Sequence, residues 1–209
     1  MSLSPIKNRA IFLDRDGVIN EIIFHQEVGL LETPFTEKQF RLRAGIPNAV
    51  RKFKQLGFKV IVVSNQPGVA MRHFSQRTLK AITKKMVSLL KKRGAHLDGI
   101  YYCIHHPTKG IGFLKKRCSC RKPKTGLLLK SARMLAIDLK RSYMVGDSIT
   151  DVETGKRAGC KTFLLAHLKC DLCHLMAKRG IKPDYLADNL LDVTDQIERL
   201  EKSSGKEFT

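Results

Sequence analysis

The stretch Ile11-Phe12-Leu13-Asp14-Arg15-Asp16-Gly17-Val18-Ile19-Asn20 constrains the fold more than any other part of the chain. An apolar run that stops at two aspartates one residue apart, followed by glycine, predicts a buried strand delivering carboxylates to a turn at a sheet edge. Open α/β sheets place their chemistry at that edge. Alternate residues of an extended chain share a face, so Asp14 and Asp16 are expected to look into one ligand site while Arg15 points away, structural or exposed. Two carboxylates so close repel unless a cation or a proton lies between them. The pattern therefore fits a nucleophile and an acid/base beside a magnesium site, and equally a plain polar turn until other residues join it.

The 209 residues are enough to bury a substantial core, and one domain is expected over 1–209, with its centre at about 9–165 and a closing strand and helix at 184–202. No long apolar run and no apolar N-terminal segment stand in the sequence, so a cytoplasmic, monomeric protein with no membrane partner is expected. The 39 Lys and Arg against 19 Asp and Glu give a net charge of +20, a field that draws anions inward. Phosphorylated small molecules fit that field. Nucleic acid fits it less well, because the cations are scattered through clusters such as Lys91-Lys92-Arg93 and Lys115-Lys116-Arg117 with no aromatic-interleaved stripe.

Along the chain, Arg9 to Leu13 reads as the first strand and Glu21 to Ala44 as a long irregular connection that could act as a small lid. A helix opens at Gly45-Ile46-Pro47 and stops at Gly57, and Phe58 to Val63 forms a second strand ending in Ser64-Asn65-Gln66. Ser75 caps a helix running to about Arg93, and Gly99 to Cys103 is a third strand. A helix from Thr125, a strand over Ser142 to Asp147, a helix to Ala158 and strands at Lys161 to Leu165 and Tyr185 to Ala187 complete the order before a helix from Leu190. Such alternation predicts a doubly wound parallel sheet with helices on both faces.

Four strand ends then offer polar groups to one edge: Asp14 and Asp16, Ser64 and Asn65, Arg121 and Lys122 beyond the third, and Asp147 with Asp151. Attack of a carboxylate on a phosphate monoester needs a nucleophile, a proton donor for the leaving oxygen, a cation and donors for the phosphoryl oxygens. Each has a candidate here. The set Asp14-Arg15-Asp16-Gly17, Ser64-Asn65-Gln66, Lys122 and Gly146-Asp147-x-x-x-Asp151 resembles the haloacid dehalogenase superfamily of magnesium-dependent phosphohydrolases over roughly 9–165. The resemblance implies a Rossmann-like sheet of that type without a large cap, Asp14 as nucleophile and Asp16 as acid and then base. It also implies Mg2+ held by Asp14, the Asp16 carbonyl and Asp147, the phosphoryl group held by Ser64 and Asn65, and charge neutralised by Lys122. Asp151 would support the acidic site or cap a helix.

Cys103-x-His105 and Cys118-x-Cys120 supply four soft or borderline ligands at the two ends of a loop, 103–120, which suits a closed tetrahedral Zn2+ site. His106 competes with His105. The segment from Tyr101 to Pro107 and from Cys118 to Pro123 is similar to the zinc loop of the heptose bisphosphate and histidinol-phosphate phosphatases, where the metal is structural and the loop replaces a larger cap. Three features depart from that pattern: the length of Glu21 to Arg43, Ser148 after the fourth strand, and Met71-Arg72-His73 where those enzymes tend to show a glycine. Cys170-x-x-Cys173-His174 matches a haem attachment pattern by chance, and Cys160 reads as a small core residue.

The expected activity is removal of phosphate from a phosphorylated sugar, such as the 7-phosphate of D-glycero-D-manno-heptose 1,7-bisphosphate, with Arg121 reading the second phosphate. Histidinol-phosphate phosphatase and polynucleotide 3′-phosphatase are the enzymatic alternatives. A nucleic-acid-binding protein on a retired phosphatase fold is the non-enzymatic one, and it would have lost Asp14 or Asp16.

Overall fold

The apolar run that begins the chain forms β1 (Arg9–Leu13), and its last four residues are fully buried. A strand covered on both faces must be apolar on both, which is why the run does not alternate with polar residues. A computed structural model describes residues 8–26, 30–165 and 180–203. β1 lies near the middle of a six-stranded sheet built with β4 (Phe58–Asn65), β5 (Gly99–Cys103), β6 (Tyr143–Gly146), β7 (Lys161–Leu165) and β8 (Tyr185–Ala187). The order is β5-β4-β1-β6-β7-β8 and every pairing is parallel.

Alternation across the strands divides the core. Ile11, Leu13, Val60 and Val62 face α1 (Ile46–Gln55), α2 (Gln76–Lys91) and the last helix, α5 (Leu190–Ser203), through Phe53, Met86 and Ile197. Ala10, Phe12, Ile61 and Met144 face the opposite layer, where α3 (Gly126–Met134) brings Leu127 and Leu128. On that side α4 (Ile149–Ala158) lies so close that a Cβ on Gly155 would sit 2.8 Å from the Met144 Cβ. The expected doubly wound α/β sheet is therefore what the chain adopts.

Two differences from the expected elements matter for the site. β4 runs on to Asn65, so the polar pair Ser64-Asn65 sits inside a strand, paired with Tyr102 and Cys103 of β5. The connection expected to be irregular contains an antiparallel hairpin, β2 (Ile23–His25) with β3 (Leu30–Glu32), that delivers Thr33 to the sheet edge. This hairpin and the loop at 103–120 are small, and no large cap domain stands over the edge among the described residues. None of the described helices is long and apolar enough to cross a membrane.

Candidate active site

The centre of the site is a buried cation. Lys122 is 3% exposed, and its ammonium donates all three of its hydrogens: to Asp14 Oδ1 at 2.9 Å, to Asp151 Oδ1 at 2.6 Å and to the Val63 carbonyl at 3.1 Å. Burial opposes that charge, but Asp14 and Asp151 outweigh it and raise the lysine above its ordinary value. Burial likewise pushes the Asp14 carboxyl up to about 6, against the pull of Lys122 and a hydrogen bond from Ser64. Asp151 both engages this lysine and caps a helix. Besides holding Lys122, it accepts from the Ser148 N–H at 3.2 Å and hydroxyl at 2.6 Å at the start of α4.

Asn65 has a different partner from the expected phosphate. Its side-chain oxygen accepts from the Lys122 N–H at 3.0 Å and its amide donates to the Lys122 carbonyl at 3.1 Å, so it clamps the main chain that carries the lysine. Ser64, 1% exposed, accepts from Gln66 Nε2 at 3.1 Å, which leaves its hydroxyl hydrogen for the Asp14 side of the site.

Arg15 corrects the expectation drawn from strand alternation. The chain leaves the extended conformation at Asp14, and the Ile19 N–H closes a turn onto the Arg15 carbonyl at 2.8 Å, so the one-in, one-out rule no longer applies. The guanidinium is fully buried and grips the Asp16 carboxylate through Nε at 3.1 Å and Nη2 at 2.9 Å. Asn20 Nδ2 at 3.0 Å, the Thr33 hydroxyl at 2.9 Å and Gln66 Nε2 at 2.7 Å complete a ring of donors around Asp16. Gln66 and Thr33 also accept from Arg15. Of these holders, Arg15 and Gln66 stand in the quoted motifs and Asn20 closes the opening stretch. Thr33 carried no signal, because nothing local ties a threonine in a long connection to an aspartate seventeen positions earlier.

Asp14, Asp147 and Asp151 bring carboxylate oxygens within 4.8 Å of one another. Carboxylate oxygens gathered this closely fit a hard divalent cation bound through oxygen. Gly17 lines this cluster with φ +76°, and a Cβ there would meet Asp147 Oδ2 at 1.9 Å, so no other residue fits the turn without moving the carboxylate.

Beyond β5, the four expected soft ligands converge. Cys103 Sγ lies 3.6 Å from Cys118 Sγ and 3.2 Å from Cys120 Sγ, with 3.3 Å between the latter two. His105 Nδ1 is 3.3 Å from Cys120 Sγ and 3.8 Å from Cys103 Sγ. Zn–S bonds of about 2.3 Å and Zn–N of about 2.0 Å imply tetrahedral edges of roughly 3.5–3.8 Å, near the spacings found, whereas a disulfide would need about 2.0 Å. His106 is engaged within its own loop, where its Nδ1 accepts from the Thr108 and Lys109 N–H groups at 3.2 and 2.8 Å. Arg121 donates to the His105 carbonyl at 3.4 Å, bridging this loop to Lys122. Cys160 is buried, as expected, and the Cys170, Cys173 and His174 pattern lies outside the described residues.

Comparison with known proteins places this geometry. The HAD-hydrolase-like family model matches residues 119–193. Over 195 residues the chain is 36% identical to D-glycero-β-D-manno-heptose-1,7-bisphosphate 7-phosphatase of Haemophilus influenzae, covering 93% of this chain and 100% of that one. The chain is a phosphatase of the haloacid dehalogenase family. The protein of the same name from Escherichia coli K12 is 34% identical to this phosphatase over 193 residues, 92% of this chain and 95% of the other. Among solved structures, D,D-heptose 1,7-bisphosphate phosphatase from B. bronchiseptica, complexed with magnesium and phosphate, matches the phosphatase with a TM-score of 0.74 at 28% identity, over 92% of this chain and 99% of that one. An HAD-like phosphatase from Mesorhizobium loti matches with the same TM-score of 0.74 at 31% identity, over 94% and 88%.

Proposed function

We propose that this phosphatase removes the 7-phosphate of D-glycero-D-manno-heptose 1,7-bisphosphate through an aspartyl phosphate on Asp14. The observation that carries the chemistry is the pairing of the Asp14 carboxylate with the buried Lys122 while a second carboxylate, Asp16, is held separately within a ring of donors. The substrate assignment draws on the names of the relatives and on their coverage of this chain.

Oδ1 of Asp14 accepts from Lys122 and from the Arg15 N–H at 2.7 Å, which leaves attack on phosphorus to Oδ2. As the new Asp14 O–P bond forms, the bond from phosphorus to the sugar oxygen breaks, and Asp16 hands that oxygen a proton. Asp16 then takes a proton from the water that attacks phosphorus, releasing phosphate and restoring Asp14. Ser64 donates to a phosphoryl oxygen and Lys122 offsets negative charge at Asp14, in the position Asn65 fixes for it. Arg121, next to Lys122, adds a cation at the substrate mouth. Mg2+ at Asp14, Asp147 and the Asp16 carbonyl would supply charge stabilisation of the phosphoryl group. Zn2+ at Cys103, His105, Cys118 and Cys120 would be structural, with no open position for chemistry.

The test is a phosphate-release screen over sugar phosphates and bisphosphates, histidinol phosphate and 3′-phosphorylated oligonucleotides, with Asp14→Asn and Asp16→Asn beside the parent. Asp14→Asn should abolish turnover and Asp16→Asn should slow it by about 10²–10⁴. Near-normal release from Asp14→Asn would overturn the mechanism. Preference for histidinol phosphate or the oligonucleotide would overturn the substrate alone.

A further inference from the structure

No Asp or Glu stands between Glu37 and Asp98, and α2 lies within that interval. Its buried side is Leu79, Ile82, Met86 and Leu90, and the Thr83 and Tyr102 hydroxyls meet at 3.1 Å, which seats the helix over β5 at one edge of the sheet. Arg77, Lys80, Lys84 and Lys91 are all exposed. At about 100° per residue they fall within about 60° of one another, on the side away from the core. Cations that stand apart in the sequence therefore form one stripe in the fold, about 21 Å long at about 1.5 Å per residue. Lys92 and Arg93, also exposed, carry it past the end of the helix.

Among the described residues, no ion pair or hydrogen bond engages the side chains of Arg77, Lys80, Lys84 or Lys91, whereas Lys52, Lys54 and Lys59 on the neighbouring elements each hold a carboxylate. Asp188, Asp192 and Asp195 follow β8, which is the opposite edge of the sheet from β5. Like charges at i and i+4, as in Lys80 and Lys84, repel, and Arg77 in the first turn opposes the helix dipole. The stripe thus costs the fold stability. A merely solvated face reduces such a cost by mixing acids among the bases, as α5 does with Glu198 and Lys202 at 3.2 Å. On α2 only a polyanion from outside would do so.

We propose that the outer face of α2 docks the phosphate backbone of duplex nucleic acid without regard to sequence. The stripe uses residues that take no part in the phosphatase site, so the inference stands apart from the reading of the substrate. Duplex DNA carries one negative charge per about 1.7 Å of axis, roughly a dozen over the length of the stripe, so each cation finds a phosphate. Two features select this partner. A helix lying in a membrane surface inserts apolar side chains beside its cations, but those of α2 are spent on the core, and Val87 is the one large apolar side chain it exposes among the described residues. Single strands are gripped by stacking on aromatic rings, and α2 has none.

The test is fluorescence anisotropy of two duplexes of about 20 base pairs, unrelated in sequence and with hydroxyl ends, titrated with the full-length protein. The parent should bind both alike at micromolar protein, and affinity should fall about 100-fold between 50 and 200 mM NaCl, as four phosphate contacts require. Arg77→Gln, Lys80→Gln, Lys84→Gln and Lys91→Gln together should remove most of that salt dependence and weaken binding at 50 mM NaCl by about tenfold or more. Glutamine is a good helix former, so circular dichroism and phosphate release should not change. Lys84→Gln alone should lower the slope of log affinity against log salt by about 0.9. Arg133, Lys140, Arg141 and Lys182 are also exposed and lie on other elements. Replacing these four by Gln takes away the same charge and should leave affinity within about threefold of the parent. Equal weakening by the two quadruple variants would assign binding to net charge and overturn the stripe. So would a parent that binds vesicles of anionic phospholipid and leaves the duplex free, or one that binds neither duplex at about 100 µM protein in 50 mM NaCl.

Discussion

At the scale of single residues, Asp16 shows how much of an acid/base lies in its holders. Its carboxylate is met by Arg15, Asn20, Thr33 and Gln66, so its position is set by side chains from the first turn, the hairpin and the end of β4 together. Thr33 is the member that can be shortened without leaving a buried charge unpaired. Thr33→Ala should lower kcat by about 10-fold and Thr33→Ser should restore most of it, as expected for one hydrogen bond to a charged group. Parent-like kcat in Thr33→Ala would remove Thr33 from the positioning of Asp16. Asp14 yields a second expectation. Its carboxyl is raised from 3.8 to about 6, so the folded protein holds that proton more tightly than an exposed aspartate would and gives it up only as pH rises through about 6. Protons and Mg2+ then compete for one carboxylate, and the apparent Mg2+ affinity should fall by up to about tenfold per pH unit below 6 and level off above it. Calorimetric Mg2+ titrations at several pH values check this, and an affinity that is flat from pH 5 to 8 would contradict it. Asp14 and Lys122 were readable in the sequence because each ends a segment whose pattern is local. Arg15 was not, because its direction depends on where the chain stops being extended.

At the scale of elements, the sequence marked β1, β5, β7 and β8 at their observed bounds, since each is a short apolar run between clear breaks. The hairpin escaped notice for the opposite reason. Three-residue strands show no period, and this one is held by its neighbours, with His25 stacked on Phe35 at 3.6 Å and donating from Nε2 to the Thr33 carbonyl at 2.9 Å. The convergence of Cys103, His105, Cys118 and Cys120 was legible because their spacing states a candidate ligand set directly. Its mechanical consequence appears only in three dimensions. Cys120 stands two residues before Lys122, Arg121 between them reaches back to His105, and Gly126 at the start of α3 donates its N–H to Ser119 at 3.0 Å. Loss of a metal bound at these four residues would therefore loosen the segment that inserts Lys122 between Asp14 and Asp151. Zinc should be found in the purified protein by elemental analysis, and its removal by a thiol-competing chelator should reduce kcat in a way that excess Mg2+ does not reverse. Full activity in zinc-free protein would show that Asn65 and the Asp151 contact hold Lys122 without it.

At the scale of the whole molecule, the charge of +20 is unevenly placed relative to the chemistry. No acidic residue occurs between Asp98 and Asp138, and this interval includes the zinc loop, Arg121 and Lys122. The carboxylates that react lie on the other strand tips, so an incoming phosphate meets a positive rim before a negative centre. Charges on the rim act on a diffusing anion across the solvent and leave the bound complex largely unaffected, so they belong to the association rate. Added salt screens them, with a Debye length of about 10 Å at 0.1 M. Lys115 and Lys116 are exposed on this loop and lie outside the reaction centre. Reversing both, as Lys115→Glu with Lys116→Glu, should lower kcat/KM for a sugar bisphosphate at low ionic strength with kcat nearly constant. The deficit should shrink as NaCl is raised, and parent and variant should converge near 0.5 M, where charges farther apart than a few ångströms no longer act on each other. A deficit of the same size at every salt concentration would mean that the two lysines touch the substrate, and the field would then have no part in capturing it.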